Sequence, residues 1–174
     1  MRGERKQGKT AEHVKHEFAP VFNEESRVLI LGTVPSVKSR EEGFYYGHPQ
    51  NRFWKVMSAL TGEAVPTTID QKKKMLLSHG IAVWDVVDSC DISGSSDSSI
   101  RNVVPTDLSR VLAKSNIQMI CGNGTTAVKL YQRYQQKATG REIVLLPSTS
   151  PANAVWSLER LINEWGKIIG ENIQ

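Results

Sequence analysis

Four short apolar segments, separated by segments with helical spacing, constrain the fold of this chain more than any other feature. They cover residues 27–32, 81–87, 117–121 and 142–146. Apolar runs of this length are typical of strands that are buried on both faces of a parallel sheet. Because strands that alternate with helices build α/β domains, the sequence predicts three α/β/α layers around a central, mostly parallel four-stranded sheet.

The predicted helices lie between and after these strands, and the last one has a distinct start signal. Ser150 is placed as its N-cap and Pro151 at its first helical position. The Ser- and Asp-rich residues 88–99 predict a long loop instead. In folds of this class, ligands bind beyond the carboxyl ends of the strands. The loops at that edge are residues 32–39, 85–99, 121–126 and 147–152.

Length and charge predict one domain with a basic N-terminal segment. A chain of 174 residues suits a single domain, which we place at residues 17–174. Residues 1–16 are basic and polar, and we expect a flexible tail there. The tail carries Arg2, Arg5, Lys6, Lys9 and Lys15 against Glu4 and Glu12. The formal net charge of +4 is compatible with a polyanionic partner.

Several classes of protein do not fit this sequence. No apolar run approaches the ~20 residues that span a membrane, and the N-terminus has no apolar stretch typical of a secretory signal. We therefore expect a cytoplasmic protein with no membrane partner. Cys90 and Cys121 are too few for a cysteine zinc or iron–sulfur site, and we interpret them as buried or partly buried thiols. The aspartates within residues 85–97 are interpreted as solvated or capping rather than metal-binding, so no metal and no cofactor is predicted.

The segment at residues 43–54 (GFYYGHPQNRFW) is the richest in side chains that carry chemistry. It places three consecutive aromatic residues, a histidine, an asparagine and an arginine between the first strand and its helix. Aromatic faces can stack on extruded bases, and an asparagine amide has the donor and acceptor needed to orient a water molecule. We interpret Phe53 and Trp54 as core residues and Tyr46 and Asn51 as candidate functional residues.

The loop at residues 32–36 (GTVPS) directly follows the first strand and can present backbone N–H groups to a ligand. It lacks the three spaced glycines of a dinucleotide-binding loop. No segment matches the phosphate-binding loop that closes with Gly-Lys-Ser or Gly-Lys-Thr. The sequence therefore does not predict a nucleotide cofactor.

Three segments together resemble the mismatch-specific uracil-DNA glycosylases, and especially the hypoxanthine-DNA (deoxyinosine) glycosylase branch of that superfamily. They are residues 29–36 (LILGTVPS), 45–54 (YYGHPQNRFW) and 146–153 (LPSTSPAN), in matching order and spacing. The resemblance implies a uracil-DNA glycosylase-like fold in a monomer that acts on double-stranded DNA containing a deaminated base. The implied reaction is hydrolytic excision of that base, hypoxanthine first, which leaves an abasic site in base excision repair.

The resemblance also assigns roles, with one departure. Mismatch-specific uracil glycosylases carry a catalytic asparagine in the pattern Gly-Ile-Asn-Pro-Gly, where this chain has Val34. The hypoxanthine branch resembles this chain in lacking that residue, and the catalytic role then falls to Asn51. Tyr46 matches the aromatic residue that stacks on the flipped base, and the backbone of Thr33, Val34 and Tyr46 is expected at the base edges. His48 either assists the leaving base or holds the loop.

Contacts with DNA are expected outside the base pocket as well. The candidate residues are Ser36, Arg101, Ser148, Thr149, Ser150, Pro151 and Ala152. The hydroxyls among them can bind phosphates, and Pro151 with Ala152 can fill the gap left in the duplex. Because the motifs contain no lysine for a Schiff base, a monofunctional enzyme is predicted.

Three alternatives stay open at this point. A contribution of Asp85 or Asp88 to the pocket is the first of them. The second is a mismatch-type uracil or thymine glycosylase. The third is a degenerate DNA- or nucleotide-binding member of the superfamily without catalysis.

Overall fold

The computed structural model describes residues 11–93 and 97–173. Within them, the elements in chain order are β1 (Glu12–Lys15), β2 (Val28–Gly32), α1 (Val37–Glu42), α2 (Phe53–Thr61), α3 (Ile69–Ser78), β3 (Ile81–Asp85), β4 (Val87–Ile92), a 3-10 turn (Asp97–Ser99), β5 (Arg101–Pro105), α4 (Ser109–Leu112), β6 (Met119–Asn123), α5 (Thr125–Tyr134), α6 (Gln136–Thr139), β7 (Ile143–Leu146) and α7 (Leu158–Ile169).

The central sheet has four parallel strands in the order β3-β2-β6-β7, which confirms the predicted α/β fold. β2 and β3 are buried along their whole length, as their unbroken apolar sequences require. Gly32 of β2 pairs with Asp85 of β3, and Leu31 pairs with Gly122 of β6. This register brings the carboxyl ends of three strands together, so that Gly32, Asp85 and Asn123 end at the same edge.

A second sheet, antiparallel and three-stranded in the order β1-β4-β5, corrects two expectations. Much of the stretch predicted as a long loop forms β4, because Cys90 and Ile92 are buried while its polar residues are partly exposed. Part of the segment predicted as a flexible tail forms β1, which pairs with β4 from Glu12 to Lys15. Residues 1–10 of that tail lie outside the described residues.

The last helix begins later than predicted. Ser157, not Ser150, is the N-cap of α7, and its hydroxyl oxygen accepts a hydrogen bond from the Arg160 N–H. Ser150 instead lies in a turn in which its hydroxyl oxygen accepts a hydrogen bond from the Ala152 N–H. Val155, in the segment before this helix, is 81% exposed. Any effect of the α7 dipole is therefore centred on Ser157.

α7 packs against α2 beside the central sheet and supports the loop that follows β7. Leu161, Trp165 and Ile169 are buried, and the Trp165 indole N–H donates to the Pro147 carbonyl at 2.9 Å. Phe53 of α2 meets Trp165 edge-on, with ring centroids 6.0 Å apart. The interpretation of Phe53 as a core residue is confirmed, since it has no exposed surface.

The two cysteines and the absence of a membrane-spanning segment were also interpreted from the sequence. Cys90 and Cys121 are both free and buried, as predicted, and burial raises the pKa of Cys121 to about 12. No helix among residues 11–93 and 97–173 has the length and apolar character needed to cross a membrane.

Candidate active site

A cavity of about 430 Å³ opens at the carboxyl edge of the central sheet. Its wall is built from the loop after β2, the segment after α1, the ends of β3 and β6, and the loop after β7. The sequence-predicted residues in this wall are Thr33, Val34, Ser36, Tyr46, His48, Asn51, Ser148, Thr149, Ser150, Pro151 and Ala152. Arg101 is the predicted residue that does not line the cavity. Its guanidinium donates to the carbonyls of Ser98 and Ile100 on the exposed start of β5.

Tyr46 forms an aromatic platform in the cavity. Its ring stacks on Phe53 with centroids 4.0 Å apart and planes 18° apart, which leaves the opposite face to the cavity. Its φ of 54° lies in the left-handed region, an uncommon conformation for a bulky side chain and one typical of functional sites. Burial, with a smaller contribution from Asp85, raises the pKa of the Tyr46 hydroxyl. The platform is therefore a neutral phenol ring at physiological pH.

The amide of Asn51 is oriented by two hydrogen bonds to its oxygen. Oδ1 accepts from the Phe53 N–H at 3.0 Å and from the Thr149 hydroxyl at 2.8 Å. Because the backbone N–H can only donate, the amide oxygen must face it, and Nδ2 is the group left over. Nδ2 makes no hydrogen bond within the described residues. Asn51 therefore offers the cavity a donor, whereas its acceptor is already used.

Thr149 and Asn123 form the support behind Asn51. The Thr149 N–H donates to Asn123 Oδ1 at 3.0 Å, and Asn123 Nδ2 donates to the Thr149 hydroxyl at 3.0 Å. Thr149 has no exposed surface, so the expectation that it binds phosphate is wrong. Sequence reasoning did not single out Asn123, although a polar residue at the end of the apolar strand β6 is a signal for this edge of the sheet.

Arg52 connects the segment before α2 to the loop after β7. Its guanidinium donates to the carbonyls of Ser150 and Asn153, both at 3.0 Å, and to that of Trp156. Its backbone N–H donates to the Thr149 carbonyl at 3.1 Å. These bonds fix residues 149–156 against the segment that carries Asn51, a role that the sequence did not reveal.

Replacing Arg52 with lysine should loosen this connection without unfolding the domain. A lysine ammonium lacks the planar fork that reaches three carbonyls, so at least one of them loses its partner. We expect the free energy of unfolding to fall by about 1–2 kcal/mol and amide hydrogen exchange to accelerate in residues 148–156. Arg133→Lys, on the exposed side of α5, is the matched control. Unchanged exchange in Arg52→Lys would mean that the loop is held by other contacts.

His48 has a structural bond and one remaining donor. Its Nδ1 accepts from the Gln50 N–H at 3.1 Å, and its carbonyl accepts from the Asn51 N–H at 2.9 Å. These bonds stabilise the loop that presents Asn51. In the neutral ring, Nε2 then carries the proton and can donate to a molecule in the cavity.

The serines of the cavity wall differ in what they can still donate. The Ser36 hydroxyl caps α1 by accepting from the Ser39 N–H and donates to the Ser39 hydroxyl, each at 3.1 Å. Its proton is therefore used within the fold, which corrects the expectation of a hydroxyl contact with DNA. Ser148 and Ser150 accept backbone N–H bonds at 3.2 Å and keep their own protons available.

A buried histidine–aspartate pair lies at the floor of the cavity. His16 Nε2 and Asp85 Oδ2 are 2.7 Å apart, and their side chains are 2% and 6% exposed. Asp85 also lines the cavity, which answers the question that the sequence left open for this residue. A Cβ on Gly32 would overlap Asp85 Oδ1, so glycine is required for this close approach. His16, which fell within the predicted tail, was missed.

Among the described residues, no three His, Cys, Asp or Glu side chains are grouped so that they could hold a metal ion. The electrostatic character of the floor comes instead from the Asp85 carboxylate and the donors around it. The cavity thus combines a neutral aromatic face, the Asp85 carboxylate at its floor, a second carboxyl group from Asp97, and the donors of Asn51 and His48. Such a set can stack on a planar heterocycle and recognise its polar edge.

Residues 19–167 match the sequence profile of the Uracil DNA glycosylase superfamily. A Methanosarcina acetivorans protein named Hypoxanthine DNA glycosylase is 34% identical over 154 residues, which cover 87% of this chain and 96% of the relative. Its namesake from Methanosarcina barkeri is 31% identical over 80% of this chain and 88% of that protein. The solution NMR structure of a Methanosarcina acetivorans protein classed with the uracil DNA glycosylases superposes with a TM-score of 0.77 at 32% identity, covering 91% of this chain and 98% of that one.

Proposed function

This chain belongs to the uracil DNA glycosylase superfamily, and from that premise we propose that it excises hypoxanthine from deoxyinosine in double-stranded DNA. It is a DNA glycosylase, and the names of the two Methanosarcina relatives support hypoxanthine as the base. The observation that favours a deaminated base over adenine is the Asp85 carboxylate at the floor of a cavity that also holds the Tyr46 ring.

The chemistry of deamination explains why a carboxylate is suited to this floor. Conversion of adenine to hypoxanthine turns N1 from an acceptor into an N–H donor and replaces the amino group by a carbonyl. An ionised carboxylate only accepts hydrogen bonds. Asp85 would therefore bind the N1–H of hypoxanthine and repel the N1 lone pair of adenine. A site that leaves its own buried polar group unpaired with the wrong base can discriminate strongly.

Capture of the base begins with extrusion from the duplex, which costs a few kcal/mol and least at a mispaired base. The flipped base would stack on the free face of Tyr46. The backbone at Thr33 and Val34 lies in the same wall and would contact its polar edge. Stacking on the Tyr46 ring would bind any flipped base, so the selection of one base would depend on Asp85 at the cavity floor.

Hydrolysis then breaks the bond between C1′ and N9, with the electron pair leaving on the base. A water oxygen bonds to C1′, the water loses a proton, and the base anion gains one. Asn51 Nδ2 would donate to the water oxygen and fix its position. His48 Nε2–H would donate to the departing base and stabilise the charge that develops on it.

The product is an abasic site, because no lysine lines the cavity in the described part of the chain. The hydroxyls of Ser148 and Ser150 would bind phosphates, and Pro151 with Ala152 would fill the gap in the duplex. Arg101 is kept as a contact with the flanking backbone. A monomeric state and a cytoplasmic location stay predictions from the sequence.

The test is base release from labelled duplexes that contain one deoxyinosine, deoxyuridine or deoxyadenosine. We expect an alkali-labile site at deoxyinosine, no strand cleavage before alkali, and slower release of uracil. Faster release at deoxyuridine would identify a uracil glycosylase instead, since N3–H of uracil also suits a carboxylate. Tight binding to deoxyinosine duplexes without release would identify a binding protein that lacks catalysis.

A further inference from the structure

The buried pair beneath the cavity gives His16 a role beyond the fold. We propose that His16 is a positioning residue for base selectivity, because its Nε2–H holds the Asp85 carboxylate as a pure acceptor directed at the base. The inference rests on the proposed function of Asp85. It assigns part of the specificity of the site to a residue 69 positions earlier in the chain.

The hydrogen bonds of the imidazole define its tautomer. The Phe18 N–H donates to His16 Nδ1 at 3.2 Å, so Nδ1 carries no proton. Nε2 must then carry the proton of the neutral ring, and it donates to Asp85 Oδ2 at 2.7 Å. Asp85 is the acceptor in this bond and keeps its other oxygen, Oδ1, for the cavity.

The surroundings of His16 restrict its rotation. Its ring lies edge-on to Phe18, with centroids 5.4 Å apart, and 5.8 Å from the Tyr45 ring. Its backbone N–H donates to the Asp88 carbonyl at 2.6 Å, which continues the pairing of β1 with β4. His16, which directly follows β1, thus places one fixed donor at the floor of the site.

Other ionisable groups near the pair do not replace this donor. The Tyr45 hydroxyl donates to the Ala19 carbonyl at 2.9 Å, away from the carboxylate. Burial raises the pKa values of Tyr45 and Tyr46, so both stay neutral, and the buried Tyr46 hydroxyl makes no hydrogen bond to Asp85. Arg110 acts on Tyr45 from a distance and lies over the Trp84 ring. Among the described residues, His16 is the side chain that hydrogen-bonds the Asp85 carboxylate.

Removal of the imidazole should therefore change selectivity rather than only activity. Without the Nε2–H, Oδ2 is left buried and unpaired, and the carboxyl group can rotate or take up a proton, which turns it into a donor. A protonated carboxyl group offers both a donor and an acceptor, so it no longer distinguishes N1–H of hypoxanthine from the N1 lone pair of adenine.

The experiment compares His16→Leu and His16→Gln with the wild type in single-turnover release of hypoxanthine and adenine. Each base is placed opposite an abasic analogue, so that pairing energy does not contribute to the ratio. We expect His16→Leu to lower the hypoxanthine-to-adenine ratio by about 10- to 100-fold. The glutamine amide N–H can replace Nε2–H, and it should restore most of the ratio. His13→Leu removes the exposed pairing between His13 of β1 and Asp91 of β4, and it is the matched control.

Nitrogen NMR of the wild-type histidines provides a second, independent readout. We expect a protonated Nε2 and an unprotonated Nδ1 for His16. Observation of the opposite tautomer, or an unchanged ratio in His16→Leu with full hypoxanthine release, would overturn the inference and leave the proposed function intact. Equal losses for both bases would assign His16 to the fold alone. Absence of hypoxanthine release by the wild type would overturn both proposals.

Discussion

Replacement of Asn51 with alanine is expected to lower the rate of hypoxanthine release by about 10²- to 10³-fold, the usual effect of removing one preorganised donor from a site of reaction. The variant loses Nδ2, the amide group that faces the cavity without a partner among the described residues. It also frees the Thr149 hydroxyl, which donates to Asn51 Oδ1. Single-turnover release from a deoxyinosine duplex measures the effect, and the thermal midpoint tests whether the fold persists.

Two further variants separate the role of the donor from that of the support. Asn51→Asp keeps an oxygen for the Phe53 N–H and for Thr149 but has no Nδ2, so it should be as slow as Asn51→Ala. Asn116→Ala removes an exposed asparagine distant from the cavity and should release hypoxanthine at the wild-type rate. Full activity in Asn51→Asp would mean that an acceptor, not a donor, orients the water.

The central sheet and most of the cavity could be predicted because their signals are local. β2, for example, is a continuous apolar run that ends in glycine, and its loop must lie at the carboxyl edge of the sheet. The aromatic segment around Tyr46 stands out for the same reason, since a core would rarely need so many polar and aromatic groups in one loop. Local sequence therefore indicated where the site lies and which segments form it.

The parts that sequence reasoning missed depend on contacts between distant residues. The guanidinium of Arg52 donates to backbone carbonyls about a hundred positions later in the chain. Every residue has a backbone carbonyl, so the sequence does not indicate which of them are bound. His16 lies in a basic N-terminal segment whose composition is typical of solvated chain. His16 is buried because β1 pairs with β4. A strand of four residues is too short for this pairing to be predicted from its sequence pattern.

The predicted start of the last helix was wrong for a different reason. Ser150 followed by Pro151 is a good local signal for a helix, but three carbonyls of residues 150–156 are bound by Arg52. Those bonds hold the segment as turns, and the helix begins only after the next suitable cap, Ser157. Tertiary hydrogen bonds outweighed the local preference, which is modest in energy.

Replacement of Asp85 with asparagine is expected to lower hypoxanthine release by about 10³-fold or more, because the change reverses the polarity of the floor while it preserves side-chain volume. His16 Nε2–H can donate only to the amide oxygen, so the amide nitrogen must face the cavity. Two donors, Nδ2–H of the new residue and N1–H of hypoxanthine, would then oppose each other, whereas N1 of adenine would accept from the amide. Asp91→Asn, the exposed aspartate paired with His13, should leave release unchanged. Full hypoxanthine release by Asp85→Asn would show that other groups recognise the base. If the variant instead loses hypoxanthine release and gains adenine release, recognition of N1 is assigned to the Asp85 carboxylate.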